Sequence, residues 1–355
     1  MPARESLERA IRGALGRFDR FQQRHKPLAI AFAVVKKFSD DDAGAKAALI
    51  AYYGFFSLFP LLLVFVTILG FLLGSDSSLA HSVLHSALAQ FPIVGSQLGS
   101  PHALAGNGIG LAIGLVGALL SGLGVTMAAE KAFNAVYAVP HKRQPNALLA
   151  RWRGLKLLVV FGTLQLISTA VSGAVAGGLG GALVTVAGIL VSLLINVAMF
   201  LAVFRLLTGA AVTSRELWPG ILLAAVTWEV LQALGGIYIG HVVRGSGPTY
   251  GSFAVVIGLL VWLYLGARVV VYAAETNVVL ARGLWPRSLT EVPGPADRRA
   301  RAALAKTEER DDHETVDVTF HPAADDRSDP ARPEYSVAPA PAPGEDARPA
   351  NWPAP

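Results

Sequence analysis

The stretch from Gly251 to Arg282 constrains this chain more than any other part of it. It is long enough to cross a bilayer, because about 20 apolar residues in a helix span the hydrocarbon core. Yet it carries Arg268 near its middle and Glu275 about two turns further on. A charge at the centre of a membrane helix costs about 2.5–3.5 kcal/mol. Arg268 therefore needs a counter-charge, a hydrated cavity or a functional role.

Helical spacing places the polar side chains of this stretch on one face. Tyr264, Arg268, Tyr272 and Glu275 follow one another at intervals of four, four and three residues. The other faces carry Val, Leu, Ile and Ala, so the polar stripe is expected to face protein while the rest faces lipid. Because helical side chains lean toward the N-terminus, Arg268 leans toward Tyr264, and we expect its counter-charge to come from another helix.

The composition of the whole chain is that of a membrane protein. Hydrophobic residues make up 53% and charged residues 15%, whereas soluble proteins are about 25% charged. The chain has no cysteine, which excludes disulfides and cysteine-based metal or redox sites. Its net charge of +5 is explained by Lys and Arg in cytoplasmic segments, so we expect no nucleic-acid partner. The charged N-terminus lacks an early apolar core, and we expect no cleavable signal peptide.

The predicted fold is all-α, a polytopic membrane bundle of six transmembrane helices. Lys and Arg are frequent before the first span, after the second and after the sixth, and Arg205 and Arg215 flank the connection after the fourth. The loops after the first and third spans have neither, and the loop after the fifth has only Arg244. This alternation predicts that both termini are cytoplasmic. The predicted spans are 46–74, 109–129, 155–176, 183–207, 217–240 and 251–282.

Two segments flank the predicted membrane domain of residues 45–285. Residues 1–44 are expected to be cytoplasmic and interfacial, because residues 4–26 form an amphipathic pattern that fits the anionic inner leaflet. The alternative for this basic helix is an arm that binds RNA. Residues 28–35 are apolar but too short to span, so they are either interfacial or packed against the bundle. Residues 286–355 read as a disordered cytoplasmic tail that is either solvated or binds a protein partner.

The first span contains a candidate hinge. Pro60 cannot donate a hydrogen bond to the carbonyl of Phe56, so we expect a kink there. Ser57 is placed to help satisfy the freed backbone groups. The kink is either a functional hinge or a static feature that improves packing.

Metal and nuclease chemistry find little support in the residues. His81 and His85 have the spacing of a two-histidine metal site, but no strong third ligand stands beside them. Metal-dependent cleavage of RNA needs clustered carboxylates or histidines. The acids of the membrane core, Glu130, Glu229 and Glu275, are isolated in the sequence. We therefore predict no metal, no cofactor and no enzymatic activity.

A candidate substrate pathway follows from matching depths. Glu229 lies about 18 Å into the fifth span, and Arg268 lies about 20 Å from the cytoplasmic end of the sixth. We predict that they pair, or that they share a polar cavity with Gln232, Asn196 and Tyr264. The cluster is either a gate or site for an anionic or amphiphilic solute, or a structural ion pair that fixes helix register. Glu275 belongs to the same predicted pathway.

Four segments resemble the YihY/virulence factor BrkB family of bacterial inner-membrane proteins. They are AYYGFFSLFPLLLVF, AFNAVYAVP, LWPGILLAAVTWEVLQ and TYGSFAVVIGLLVWLYLGARVVVYAAETN, and the likeness covers about residues 30–285. The resemblance implies about six helical spans and the bacterial plasma membrane. The family has no established molecular function, so the resemblance carries no agreed catalytic role to any residue. An older family label, ribonuclease BN, is widely regarded as a misassignment. The positions that match recurrent family motifs are Tyr52, Tyr53, Ser57, Pro60, Asn134, Tyr137, Pro219, Gly220, Trp228, Tyr250, Gly251, Trp262, Tyr264, Glu275 and Asn277.

Three functions follow from these observations. The first is transport or translocation of an anionic or amphiphilic, lipid-like solute across the inner membrane. The alternative is a non-transporting envelope scaffold that binds anionic inner-leaflet lipids and recruits partners through its tail. Ribonuclease activity is a distant third.

Overall fold

The computed structural model describes residues 16–73, 108–176, 182–209, 212–245, 251–289 and 293–320. Within these ranges the chain contains helices and no β-strand. Residues 16–24 are helical, and the described residues up to Val318 belong to one compact unit. His81 and His85 lie outside the described residues, as do residues 1–15 and 321–355. The labelled helices are α1 (Lys26–Asp40), α2 (Ala43–Leu73), α3 (Gly108–Val136), α4 (Ala147–Ala176), α5 (Ala182–Leu207), α6 (Ser214–Gly245), α7 (Gly251–Ala281) and α8 (Pro295–Ala305).

Each of the six predicted spans corresponds to one of the long helices α2 to α7. Four of these contain stretches that are long and apolar enough to cross a membrane, by length and composition. Helices α4 and α6 are 30 and 32 residues long but are not among the four. The number of spans and the location of the termini therefore stay predictions. The four stretches are Ala43–Leu61, Ala112–Val136, Val186–Leu207 and Val256–Ala281.

The surface of the long helices carries large apolar side chains. Leu120 is 68% exposed, Leu194 is 67% exposed and Phe253 is 70% exposed. Such side chains on three separate helices would form large apolar patches in water, which soluble proteins avoid. In a bilayer the same side chains meet lipid tails, so the exposed surface fits a membrane environment.

Helix α7 lies at the centre of the bundle and packs against α1, α2, α3 and α6. Its closest approach is to α6, where a Cβ atom added at Gly220 would lie 2.3 Å from the Ala273 carbonyl oxygen. Further along, a Cβ at Gly235 would lie 2.2 Å from the Trp262 ring. As the residue number increases along α6 from Gly220 to Gly235, the number of the contacting residue on α7 decreases from Ala273 to Trp262. The two helices are therefore antiparallel. Glycine allows their backbones to touch.

The order of contacts shows that other neighbouring helices are antiparallel too. Gly124 of α3 faces Tyr53 of α2, and Gly117 faces Pro60. The α5–α6 pair joins Arg205 to Ser214 through a hydrogen bond close to the connection between the two helices. One end of the bundle therefore gathers the starts of α2, α4 and α6 with the ends of α3, α5 and α7. We call it the basic end, because its cations include Lys36, Lys37, Lys142, Arg153, Arg205, Arg215, Arg282 and Arg287.

The chain beyond α7 folds onto the basic end. Helix α7 stops where Gly283 takes a left-handed conformation, with φ of 58°, as glycine does after a helix end. Helix α8 then begins with Pro295 in its first turn. The buried residues of α8 are Ala296, Asp297 and Ala300. The prediction that the chain is disordered from residue 286 is wrong for this stretch, because a charged and Ala-rich composition hid a short amphipathic helix.

A network of hydrogen bonds and ion pairs, which we call the polar cap, holds this segment to the N-terminal helices. Arg287 is fully buried and donates to Asp297 at 2.6 Å and to Asp40 at 2.5 Å. Lys36 pairs with Asp297 at 2.8 Å. Asp19 accepts a hydrogen bond from the backbone NH of Leu289 at 3.0 Å. The polar cap thus joins the two ends of the described chain.

The helical segment of residues 16–24 uses its polar side for the cap. Asp19 and Gln22 are buried, and Gln22 donates to the Arg287 carbonyl at 2.8 Å. Phe18 and Phe21 remain about half exposed. This arrangement fits the predicted interfacial helix, since its apolar side is left to meet the membrane surface. Residues 28–35 were expected to be either interfacial or packed against the bundle. They form part of α1, which packs against the bundle through α7.

The polar cap should open in acid. Burial alone would raise the pKa of the Asp297 carboxyl, but hydrogen bonds from Lys36, the Ser288 NH and Arg287 outweigh it and lower that pKa to about 2. Because its pKa is lowered, the ionised Asp297 carboxylate stabilises the cap at pH values above the ordinary Asp pKa of about 3.9. That stabilisation is lost as the pH falls from there toward 2. We expect hydrogen exchange of α8 amides, corrected for intrinsic rate, to lose protection between about pH 4 and pH 2. Asp297→Asn should remove this dependence, and a midpoint near the ordinary Asp pKa in the parent would contradict the assignment.

Candidate functional site

Arg268 lies among aromatic rings. The carbon of its guanidinium is 5.4 Å from the centre of the Tyr272 ring, 5.5 Å from that of Phe38 and 5.6 Å from that of Tyr264. It donates one hydrogen bond, to the Tyr272 hydroxyl at 3.2 Å. In the described part of the chain, no carboxylate lies within ion-pair distance of it. Aromatic faces attract the cation but do not neutralise it.

Glu229 has other partners than the predicted one. Its Oε1 atom accepts from Asn196 Nδ2 at 2.6 Å and from Ser192 Oγ at 3.0 Å, both on α5. No ion pair joins Glu229 to Arg268 among the described residues, so that predicted pair is not formed. The neighbouring Trp228 lies against Gly266 of α7, where an added Cβ would be 3.1 Å from its ring. Consecutive helical residues point about 100° apart, so Glu229 faces α5 instead of α7.

The rest of the predicted cavity is only partly assembled. The Asn196 contact with Glu229 is present, whereas Tyr264 belongs to the group around Arg268. Gln232 lies one turn beyond Glu229 on α6, and its Oε1 atom is buried without a hydrogen-bond partner in the described structure. The predicted site residues therefore divide into two groups, one between α5 and α6 and one on α7.

Glu275 is the centre of a buried charge cluster. Its Oε2 atom accepts from Lys37 Nζ at 2.8 Å, and Lys37 also donates to Asp41 at 2.5 Å and to the Val136 carbonyl at 2.8 Å. Glu275 is 0% exposed, Lys37 5% and Asp41 6%. We call this group the Glu275 cluster. It was missed because Lys37 reads in the sequence as a basic residue flanking a membrane segment, with no mark of a partner 238 residues away.

Several motif positions meet around Asn277, which lies two residues after Glu275 on α7. The Asn277 Oδ1 atom accepts the backbone NH of Gly220 at 2.6 Å, and its Nδ2 donates to the Tyr137 hydroxyl at 3.4 Å. Arg282 donates to the Tyr137 carbonyl at 2.6 Å. These bonds tie α7 to α6 and to the end of α3. They hold the Glu275 cluster within a rigid frame.

The candidate hinge lies inside a continuous helix. Helix α2 runs through Pro60, and Ser57 donates to the Gly54 carbonyl at 2.7 Å instead of to a group freed by the proline. The Pro60 ring packs against α3, where a Cβ at Gly117 would lie 3.0 Å from it. Motion at this position stays a prediction.

Within the described residues, no group of three or more His, Cys, Asp or Glu side chains is arranged to hold a metal ion.

Comparison with known proteins identifies the family. The family model described as virulence factor BrkB matches residues 34–292. The chain belongs to the virulence factor BrkB family. It is also similar to the putative ribonuclease-like protein YfkH of Bacillus subtilis (strain 168), with 24% identity over 249 residues that cover 66% of this chain and 89% of that protein. No solved structure matches the chain.

The family match confirms the resemblance expected from the sequence. It includes α1 from residue 34 onward, so Lys37, Asp41 and Glu275 all lie within the BrkB region. It ends at residue 292, before α8 begins at Pro295. The Glu275 cluster is thus built within the BrkB region, whereas α8 lies beyond it.

Proposed function

We propose that this BrkB family protein moves an anionic or amphiphilic, lipid-like solute across the bacterial inner membrane, with six spans and cytoplasmic termini. The observation that carries the proposal is the environment of Arg268. Its cation lies in a stretch apolar enough to cross a membrane, between aromatic rings and without a carboxylate among the described residues.

The neighbouring acids support this assignment because each has another partner. Glu275 is bound to Lys37, and Glu229 is bound to Asn196 and Ser192. Arg268 is then the charge that an incoming anion would neutralise. Intramembrane charges most often mark a substrate or ion pathway.

The rings around Arg268 favour an amphiphile over a simple ion. Phe38 and Tyr272 stack with ring centres 3.9 Å apart, next to the guanidinium. A lipid with a phosphate head and an apolar body would place its charge on Arg268 and its carbon chain beside the rings. Arginine suits phosphate because its donors form a planar fork.

The proposal is tested in proteoliposomes with fluorescent phosphatidylglycerol as the anionic probe and fluorescent phosphatidylcholine as the zwitterionic control. We expect Arg268→Gln to slow movement of the anionic probe at least about tenfold, because a hydrogen bond to a charged group contributes about 1.5–3 kcal/mol. Arg268→Lys should retain part of the rate. Arg205→Gln, which changes an exposed arginine at the basic end, should leave the rate unchanged. Equal rates for the parent and Arg268→Gln would overturn the proposal.

The same preparation tests the other two functions. Binding to anionic vesicles without movement of either probe would favour the envelope scaffold, whose lipid-binding surface would be the basic end. The name of YfkH brings ribonuclease activity to this chain as a third candidate, which is measured as cleavage of labelled RNA by the purified protein. We propose that the chain is not an enzyme, so no cleavage above that of a mock preparation is expected.

A further inference from the structure

The Glu275 cluster has one cation for two carboxylates. Lys37 satisfies all three of its donor positions with Glu275, Asp41 and the Val136 carbonyl. The second carboxylate oxygen of Glu275, Oε1, is buried and has no hydrogen-bond partner in the described structure. A fully buried carboxylate oxygen without a donor is costly, and the cost is reduced when that oxygen binds a proton, because the carboxyl group is then neutral.

A cavity adjoins this cluster. It has a volume of about 180 Å³, which is room for several water molecules. It lies between α1 and α8 at the basic end, where Lys37 and Asp41 form part of its wall together with Asp40, Ala300, Arg301 and Leu304. Protons can therefore reach the cluster from the basic end through Asp41 and Lys37, without crossing apolar protein.

The position of Glu275 connects it with the proposed substrate site. Glu275 and Tyr272 lie one turn apart on the same face of α7, and Arg268 follows one turn beyond Tyr272. Phe38, which stacks on Tyr272, is adjacent in the chain to Lys37. A change of charge at Glu275 would thus act on the two elements, α1 and α7, that surround Arg268.

We propose that Glu275, held by a lysine that it shares with Asp41, is a proton-binding site that couples movement of the solute to a proton gradient. The proton adds to the free Oε1 atom and gives a neutral carboxylic acid, while Oε2 continues to accept from Lys37. No electrons are transferred, and the proton comes from water in the cavity. The coupling rests on the proposed function, whereas proton binding itself does not.

Charged and titratable groups from every packed element surround the site. Helix α1 and the turn after it supply Lys37 and Asp41, whose backbone carbonyl binds Lys46 of α2. The remaining groups are Tyr137 after α3, Glu216 of α6, Arg282 after α7 and Arg301 of α8. Among these, only Lys37 donates a hydrogen bond to Glu275 in the described structure.

Infrared difference spectroscopy of the full-length protein in lipid nanodiscs tests proton binding. We expect the carbonyl band of a buried carboxylic acid to grow reversibly as the pH is lowered from about 9 to about 5, the range in which buried carboxyls are known to titrate. Glu275→Gln should remove the band. Glu229→Gln, which changes an acid bound to α5, should retain it, which assigns the band to Glu275 and not to Glu229.

A second measurement avoids dependence on the folding of Glu275→Gln. Parent protein grown with ¹³C-labelled glutamate must show the band at a shifted frequency, and Glu275→Asp must lose that labelled band. A band that titrates but does not respond to the label or to these variants would overturn the proposal. So would the absence of any titrating band, which would make the Glu275 cluster a permanent ion pair.

Proteoliposomes with a pH gradient test the coupling. In the parent, the gradient should change the initial rate of phosphatidylglycerol movement several-fold. In Glu275→Gln, movement should persist without responding to the gradient, and a response equal to that of the parent would overturn the coupling. A titrating band with no lipid movement in any variant would refute the proposed function and leave the proton site standing. Lipid movement without a titrating band would refute the proton site and leave the proposed function standing.

Discussion

Lys37→Met is expected to lower the free energy of unfolding by about 3–5 kcal/mol, the usual cost of leaving a buried charge unpaired. The substitution removes the cation from Glu275, which is 0% exposed, and from Asp41, which is 6% exposed. Glu275→Gln should cost less, because Lys37 keeps Asp41 and the Val136 carbonyl as partners. The measurement is denaturant unfolding in detergent micelles at alkaline pH, where Glu275 cannot escape the penalty by taking up a proton.

The control for this prediction is the adjacent lysine. Lys36 is partly exposed, and its partner Asp297 also has Arg287, so Lys36→Met should cost below about 1 kcal/mol. The double variant Lys37→Met with Glu275→Gln should recover most of the loss, since the most deeply buried carboxylate is then neutral. Additive losses in the double variant would mean that Lys37 stabilises the protein through its chain packing and not through the ion pair.

Gly220→Ala is expected to lower the free energy of unfolding by about 1–3 kcal/mol or more, because it overfills the contact between α6 and α7. The added methyl group would lie 2.3 Å from the Ala273 carbonyl oxygen and 2.6 Å from Asn277 Nδ2. Two backbones must then separate, which also strains the hydrogen bond from the Gly220 NH to Asn277. Denaturant unfolding in the same micelles measures the effect.

Gly162→Ala provides a matched control on α4. Nothing lies within 4 Å of a Cβ atom added at Gly162. Alanine favours a helix over glycine by about 1 kcal/mol, so this variant should be neutral or more stable than the parent. If both glycine variants behave alike, the close approach of α6 to α7 does not limit stability.

The long helices α2 to α7 could be predicted from the sequence because each is a long, mostly apolar segment. The stretch from Gly251 to Arg282 was predicted as a single helix, and α7 runs from Gly251 to Ala281. Its polar stripe also emerged from spacing alone, since residues three and four apart share a helix face. The sequence therefore identified Arg268 and Glu275 as side chains that need protein partners.

The partners themselves could not be predicted in the same way. Depth along a helix follows from the residue count, but the rotation of that helix about its axis does not. Glu229 and Arg268 have similar depths in the predicted spans, yet Glu229 is turned toward α5. Lys37 was missed for a different reason, because α1 is too short to span and its docking against α7 depends on tertiary packing. Helix α8 was missed for a similar reason, because its order depends on tertiary contacts such as those of Asp297 and not on its composition.

The polar cap has a consequence for biosynthesis. Asp40 is synthesised 247 residues before Arg287, and Lys37 is synthesised 238 residues before Glu275. While the ribosome is still translating the intervening helices, the charges of α1 have no partners. They are costly to bury in the membrane, so α1 stays at its surface until the partners are synthesised. The last span supplies the partner of Lys37, and the residues just beyond it supply the partner of Asp40. A chain that terminates early, or inserts its last helix wrongly, leaves these charges exposed, and such molecules are the natural targets of membrane quality-control proteases.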